Sequence, residues 1–415
     1  MKALILILGI GLLYLRDPVW RRREVSGIDA FTGVWFVSAL LLLFNPAAWQ
    51  FLTWLGVMCI LVTHAVFALG KSIGSVRLRK SSNKRAPRIS ARQPYQANGI
   101  LPLFYVILPA AIFGVIGTFI STGGFTPMID GSIAEMRGNL LGGELRVPLF
   151  YRVCANLMYP SLLIGTFVTT RVYGRRHWGR FIVIPMLCPL LYSLSMGGKG
   201  CLIISASIVI WTIFLAKGVR AAFRPFLLIL GAVVVFSAFI TYTRPDTFGT
   251  LATLNIYVYG PLVALPQYLA EHSTIEWYNV RFEDLAIVRE ISNALGATFS
   301  RSIDQTTVNI PLPYNVFTCI PEWLGAFGVL GSIFLILSIG IACGFADTRG
   351  SSKYIMLRVV LYVYLSFSLF ADLSFFMIGW WICLLVALLR VFHLKFMATL
   401  GPPLSHTHSL CPPIR

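Results

Sequence analysis

Charge is what this chain has least of: 12% of its 415 residues are charged and 57% are hydrophobic, where soluble domains carry roughly 25% charged residues. So few charges cannot cover a water-exposed surface. A soluble fold is therefore excluded and a membrane-embedded one expected. Acidic residues are the scarcer kind, 16 against 34 Lys and Arg, for a net charge of +18. Nucleic-acid binding does not follow, because the cations sit mostly in short loops between apolar runs, the placement that fixes membrane topology. The eight cysteines include no C-x-x-C pair and lie mostly inside apolar runs, so they read as small core residues and not as ligands or bridges. Metal-ligand spacing, a Ser/His/Asp order and a dinucleotide fingerprint are all missing. No metal or other cofactor is expected, and any catalysis must work by positioning and electrostatics.

What is present is a succession of apolar runs: 3–15, 28–44, 50–70, 99–121, 149–170, 181–196, 201–216, 226–242, 324–344, 355–371 and 374–394. Most are near the roughly 17–25 residues of a spanning helix. The first is short, but Arg16 and Arg21 to Arg23 follow it in place of a small-x-small cleavage site, so it reads as an uncleaved helix. The expectation is an all-α polytopic integral membrane protein of about eleven transmembrane helices. A single membrane domain covers 1–401, a large outer loop at 243–323 is its insert, and 402–415 is a disordered tail. Alternating sides from an outside N-terminus assigns loops 16–27, 71–98, 171–180, 217–225 and 345–353 to the cytoplasm. They hold 21 Lys and Arg, against eight in the longer outer segments. Loop 71–98 is basic and Ser-rich, as expected of a linker that meets anionic headgroups. Segment 122–148, with six glycines, is either a lid or a plain loop.

Half of the sixteen carboxylates fall between Thr243 and Phe327: Asp246, Glu271, Glu276, Glu283, Asp284, Glu290, Asp304 and Glu322. Within this stretch Thr250 to Ala270 is nearly long and apolar enough to span, but Gly260, Pro261 and Pro266 interrupt it. A re-entrant or interface-lying helix is expected there, since broken backbone is tolerated only against protein or a cavity. Glu271-His272 follows it and offers either a near-neutral base or an exposed helix end. Glu322, just past Pro321, is either a group for proton transfer or a carboxylate that stabilises a helix N-terminus. Asp372, between the last two runs, is expected to be a turn and N-cap residue before Ser374.

Lys199 stands in Ser195-Met196-Gly197-Gly198-Lys199-Gly200, a turn so tight that the flanking helices must form a hairpin. Amides freed by glycines and an ammonium together suit an anion, whereas a lysine snorkelling at a helix end is the alternative. Arg152 and Arg244 sit at the same outer rim. Three cations there suit a pyrophosphate, and singly each is explained by snorkelling.

Asn315-Val316-Phe317-Thr318-x-x-Pro321, followed by Phe327-Gly328-Val329-Leu330-Gly331 running into an apolar helix, resembles the late motif of the oligosaccharide repeat-unit polymerases, the O-antigen polymerase (Wzy-type) family. The turn Ser195 to Gly200 and Tyr257-x-Tyr259-Gly260-Pro261 are similar in the same order. Two departures stand out: Lys199 where members commonly carry arginine, and Ala326 where they carry Asp before the Phe-Gly. The resemblance implies a GT-C-like helical bundle in the bacterial inner membrane. It implies a polymerase that joins undecaprenyl-pyrophosphate-linked oligosaccharides at the periplasmic face, alongside a chain-length regulator and flippase of the same pathway. Lys199, Arg152 and Arg244 would then hold the leaving pyrophosphate, Glu322 or His272 would take the acceptor proton, and Tyr257, Tyr259, Trp277, Tyr278 and Asn315 would meet the glycan. A ligase that transfers finished glycan shares this layout. A flippase or transporter would favour polar residues inside the helices, which are few here.

Overall fold

Lipid offers the backbone no hydrogen-bond partner, so an apolar run that enters it must close its hydrogen bonds internally as a helix. The structure, a computed structural model, describes residues 1–15, 25–79, 100–132, 135–136, 139–140, 147–196, 200–242, 250–271, 276–295, 308–309, 313–314, 318–349 and 354–392. These residues form an all-helical fold, joined by turns and one two-residue antiparallel bridge, Val308–Asn309 with Pro313–Tyr314. Five helices among them are long and apolar enough to cross a membrane: Trp54–Val76, Leu101–Ser121, Leu149–Arg171, Gly200–Lys217 and Cys319–Thr348. Six shorter apolar helices accompany them. Each of the eleven apolar runs of the sequence falls on one of these eleven. Most of the basic loop 71–98, and all of the tail 402–415, lie outside the described residues.

The centre of the bundle is the contact between Trp54–Arg79 and Cys319–Thr348. Gly70 and Gly74 on one helix face Gly340 and Gly344 on the other, each pair spaced G-x-x-x-G. A Cβ on Gly74 would stand 2.3 Å from the Ile341 carbonyl oxygen, and one on Gly344 2.2 Å from that of Lys71. The backbones therefore touch directly, the small-residue packing that membrane helices use where burial in lipid gives no hydrophobic drive. A smaller version joins Leu101–Ser121 to Leu149–Asn156, where Gly114 and Gly117 admit Ala155 and Tyr151.

Residues that strict alternation assigns to one side lie together. At one end Asp347 accepts hydrogen bonds from the Gly27 amide (3.0 Å) and the Tyr362 hydroxyl (2.5 Å), and Lys71 lies 3.8 Å from it. Lys71 also donates to Ser26 Oγ. Arg358 donates to the carbonyls of Ala346, Asp347 and Arg349, capping the last turn of Cys319–Thr348. Loops 16–27, 71–98 and 345–353 thus meet at one end. Lys2 bonds the Leu52 carbonyl and Asn45 bonds Tyr259 at the other.

Thr250–Glu271 is a continuous helix despite Pro261 and Pro266. Its second half is buried against the Pro46–Phe51 turn and the first turns of Trp54–Arg79, with Pro266 seated on Gly56. These contacts keep that half at the end of the bundle that holds Lys2 and Asn45.

A leucine at Gly74 must force the central helices apart, and overpacking of this kind costs about 1–3 kcal/mol. Gly74→Leu should therefore lower the thermal midpoint of the detergent-solubilised protein. Ile73→Leu, at a neighbouring position that is 41% exposed, should leave it unchanged.

Candidate functional site

Asp372 gathers the end of the bundle opposite Asp347. It caps Leu373–Phe376 through the Ser374 amide (2.6 Å), as its sequence position suggested, and the same oxygen accepts from Ser374 Oγ. Its other oxygen accepts from Tyr364 OH (2.6 Å) and from Trp323 Nε1. Burial pushes this carboxyl above its ordinary pKa, and the donors from Ser374, Tyr364 and Trp323 pull it back.

Glu322 is 6% exposed and its Oε2 accepts the Asp372 amide at 2.7 Å. The N-cap of its own helix is Thr318, so Glu322 instead fastens the turn before Leu373 to Cys319–Thr348. Tyr268 of Thr250–Glu271 approaches it: burial first, then the Glu322 carboxylate, raise the Tyr268 phenol above its ordinary pKa. One polar node thus joins four helices with two carboxylates, two tyrosines and an indole.

On the other flank of Leu373–Phe376 lies the amphipathic helix Ala286–Ala294, which also packs on Ile378–Val391. Its Glu290 faces Arg152 across 3.7 Å, with side chains 20% and 46% exposed. Beneath Arg152, Asn156 donates to the Arg152 carbonyl and accepts from the Gly379 amide, which ties the arginine's helix to the start of Ile378–Val391. Tyr192 lies within electrostatic reach of both Arg152 and Glu290.

The long helix is broken at Gly328, whose φ of +65° few other residues adopt. A Cβ there would lie 2.8–2.9 Å from the backbone of Glu276, Tyr278 and Asn279. The loop segment 276–281 fills the break. Its Glu276 and Trp277 carbonyls accept from the Val329 and Leu330 amides, while its Asn279 and Arg281 amides donate to the Phe327 and Ala326 carbonyls. Both sets of backbone groups orphaned by the break are thereby satisfied. The Phe327-Gly328 pair is the break into which segment 276–281 is clamped. Behind this elbow a cavity of about 190 Å³ opens between the two central helices, lined by Met58, Val62, Thr63, Trp323, Ser332 and Ile336 among others.

The sequence-derived candidates separate as follows. Glu322 is at the node and Arg152 at the rim. Trp277 and Tyr278 ride on the clamped segment, 73% and 71% exposed. Tyr259 is buried, with its hydroxyl taken by Asn45 at 2.7 Å, so its position is that of a strut between the outer helix and the 45–51 turn. Tyr257 lies on the helix but its side chain is outside the described residues, as are Lys199, Arg244, His272 and Asn315 entirely. The helices flanking Lys199, Ile184–Ser195 and Gly200–Lys217, do pack side by side. Sequence reasoning missed Glu290 as a partner of Arg152. The available signal was Arg289-Glu290 on a short, strongly amphipathic helix.

Comparison of the chain with known protein families, with curated proteins and with solved structures finds no match.

Alanine at Gly328 must adopt an unfavourable φ and strike the loop backbone, a combined cost of about 1–3 kcal/mol. Gly328→Ala should therefore expose segment 276–281, read as faster tryptic cleavage after Arg281 in a protein that still inserts. Cleavage at the wild-type rate would remove the clamp.

Proposed function

We propose that this protein is a membrane glycosyltransferase of the oligosaccharide repeat-unit polymerase type. It joins undecaprenyl-pyrophosphate-linked repeats at the periplasmic face of a bacterial inner membrane, in an eleven-helix bundle, to build O-antigen or a related surface polysaccharide. The observation that carries the reading is the crowding of carboxylates, an arginine and exposed aromatics at the end of the bundle opposite the Asp347 node. Arg152 and the Glu322–Asp372 node flank the same short helix, and exposed Trp277 and Tyr278 are clamped beside the broken helix. The resemblance along Asn315 to Gly331 supplies the substrate class.

In this reading the acceptor hydroxyl attacks the anomeric carbon of the donor, and the bond to the lipid pyrophosphate breaks with its electron pair on the departing oxygen. Arg152, Lys199 and Arg244 neutralise the charge that develops there, the term that most enzymes rely on most heavily. Glu322 or His272 accepts the hydroxyl proton. Trp277 and Tyr278 stack on sugar faces, with Tyr257 and Asn315 from the same loop. Tyr259 serves by holding that loop's helix against Asn45.

Deleting the gene in its host and examining surface polysaccharide is the test. Loss of a polymerase leaves the core bearing a single repeat. A bare core with lipid-linked polymer would indicate a ligase instead, and absence of any surface repeat a flippase. Arg152→Gln and Lys199→Ala, in protein that inserts normally, should each reduce chain formation by about 10²-fold or more, as removal of one charge-stabilising donor does elsewhere. Undiminished chains in both would remove the pyrophosphate assignment.

A further inference from the structure

Arg152 reaches out to a rim where an anion is proposed to bind, yet it already has one: the carboxylate of Glu290, 3.7 Å away. The pairing is imperfect. Glu290 Oε2 is shielded from solvent and has no hydrogen-bond partner among the described residues, although a guanidinium can grip a carboxylate with two short parallel bonds. A shielded acceptor left without a donor is costly, so this contact is held by something other than its own strength. That something is the packing of Ala286–Ala294 against Leu373–Phe376 and Ile378–Val391, which fixes where Glu290 stands. Arg152 is equally fixed from below, through Asn156 and the Gly379 amide.

We propose that Glu290 is a built-in stand-in for the substrate's anion: it occupies Arg152 in the empty protein and is displaced by a pyrophosphate group. This rests on the assignment of Arg152 to pyrophosphate. A pyrophosphate carries more charge than one carboxylate and offers paired oxygens at the spacing of the guanidinium fork, so it wins the competition. Displacement turns the Glu290 carboxylate away from Arg152 while the helix that carries it stays packed on Leu373–Phe376 and Ile378–Val391. Empty protein keeps Arg152 neutralised, and selectivity for pyrophosphate over singly charged anions follows from the need to evict a carboxylate.

The test is calorimetric titration of inorganic pyrophosphate into the full-length protein in lipid nanodiscs. Removing the competitor in Glu290→Gln should tighten binding about threefold to fivefold, the range a partly exposed ion pair supports. Glu290→Ala, which also removes the carboxylate, should tighten it similarly, which guards against a fold defect peculiar to one variant. Arg152→Gln should abolish binding in either background. Pyrophosphate binding that is unchanged or weaker in both Glu290 variants would overturn the stand-in role while leaving the anion site intact. Absence of binding in the wild type and in both Glu290 variants would overturn the anion site and the stand-in together. A merely structural glutamate cannot produce tighter binding when removed, so the sign of the effect decides.

Discussion

Everything at the proposed site hangs from one contact, the backbone-to-backbone packing of Gly70 and Gly74 against Gly340 and Gly344. Helices in lipid gain nothing by burying leucine against leucine, so close approach of small residues has to supply the attraction. The contact also sets a register. It brings Lys71 and Ser26 to Asp347 at one end of the pair, and at the other it holds the Cys319–Thr348 helix where Glu322 meets the Asp372 turn. A shift of one turn between these helices, about 5 Å, would separate Lys71 from Asp347.

The break at Gly328 turns this rigid pair into a scaffold for a loop. A straight helix would carry no free amides or carbonyls at that height and nothing outside it could bind its backbone. Interruption frees such groups on both sides, and segment 276–281 engages five of them. The cost of the positive φ is repaid by a fixed attachment point for an outer loop that carries Trp277 and Tyr278. Glycine is required twice over at this point, for the dihedral and for the approach of Glu276 to Asn279.

How much of this was legible beforehand depended on distance along the chain. The eleven apolar runs were visible because composition alone reports them, and each forms a helix. Asp372 was readable as an N-cap because its partner, Ser374, is two residues away. Its other partners, Trp323, Tyr364 and the Glu322 it bonds through its amide, come from other helices and could not be named. Glu322 reads as either a group for proton transfer or a carboxylate at its own helix N-terminus; it does stand in that first turn, and its bond to the Asp372 amide of a neighbouring turn could not be foreseen. The glycine pairs were present as G-x-x-x-G but acquire meaning only when two particular helices are known to face each other. Tyr259 is assigned to the glycan through the resemblance alone, and nothing in the sequence signals its burial against the 45–51 turn, where its hydroxyl meets Asn45.

The distribution of polar groups also bears on what kind of work the bundle can do. A conduit needs a chain of polar or solvated groups from one end to the other. Here the described polar nodes stand at the two ends, around Asp347 and around Asp372. Between them His64, fully buried, is packed between the Phe31 and Trp35 rings and meets Thr32 at 3.4 Å. Such an aromatic enclosure isolates a polar side chain from its surroundings and does not link it to either node. At the Asp372 end a loop is clamped into a broken helix and the Glu290 carboxylate stands 3.7 Å from Arg152, so the described polar side chains there meet beside fixed backbone.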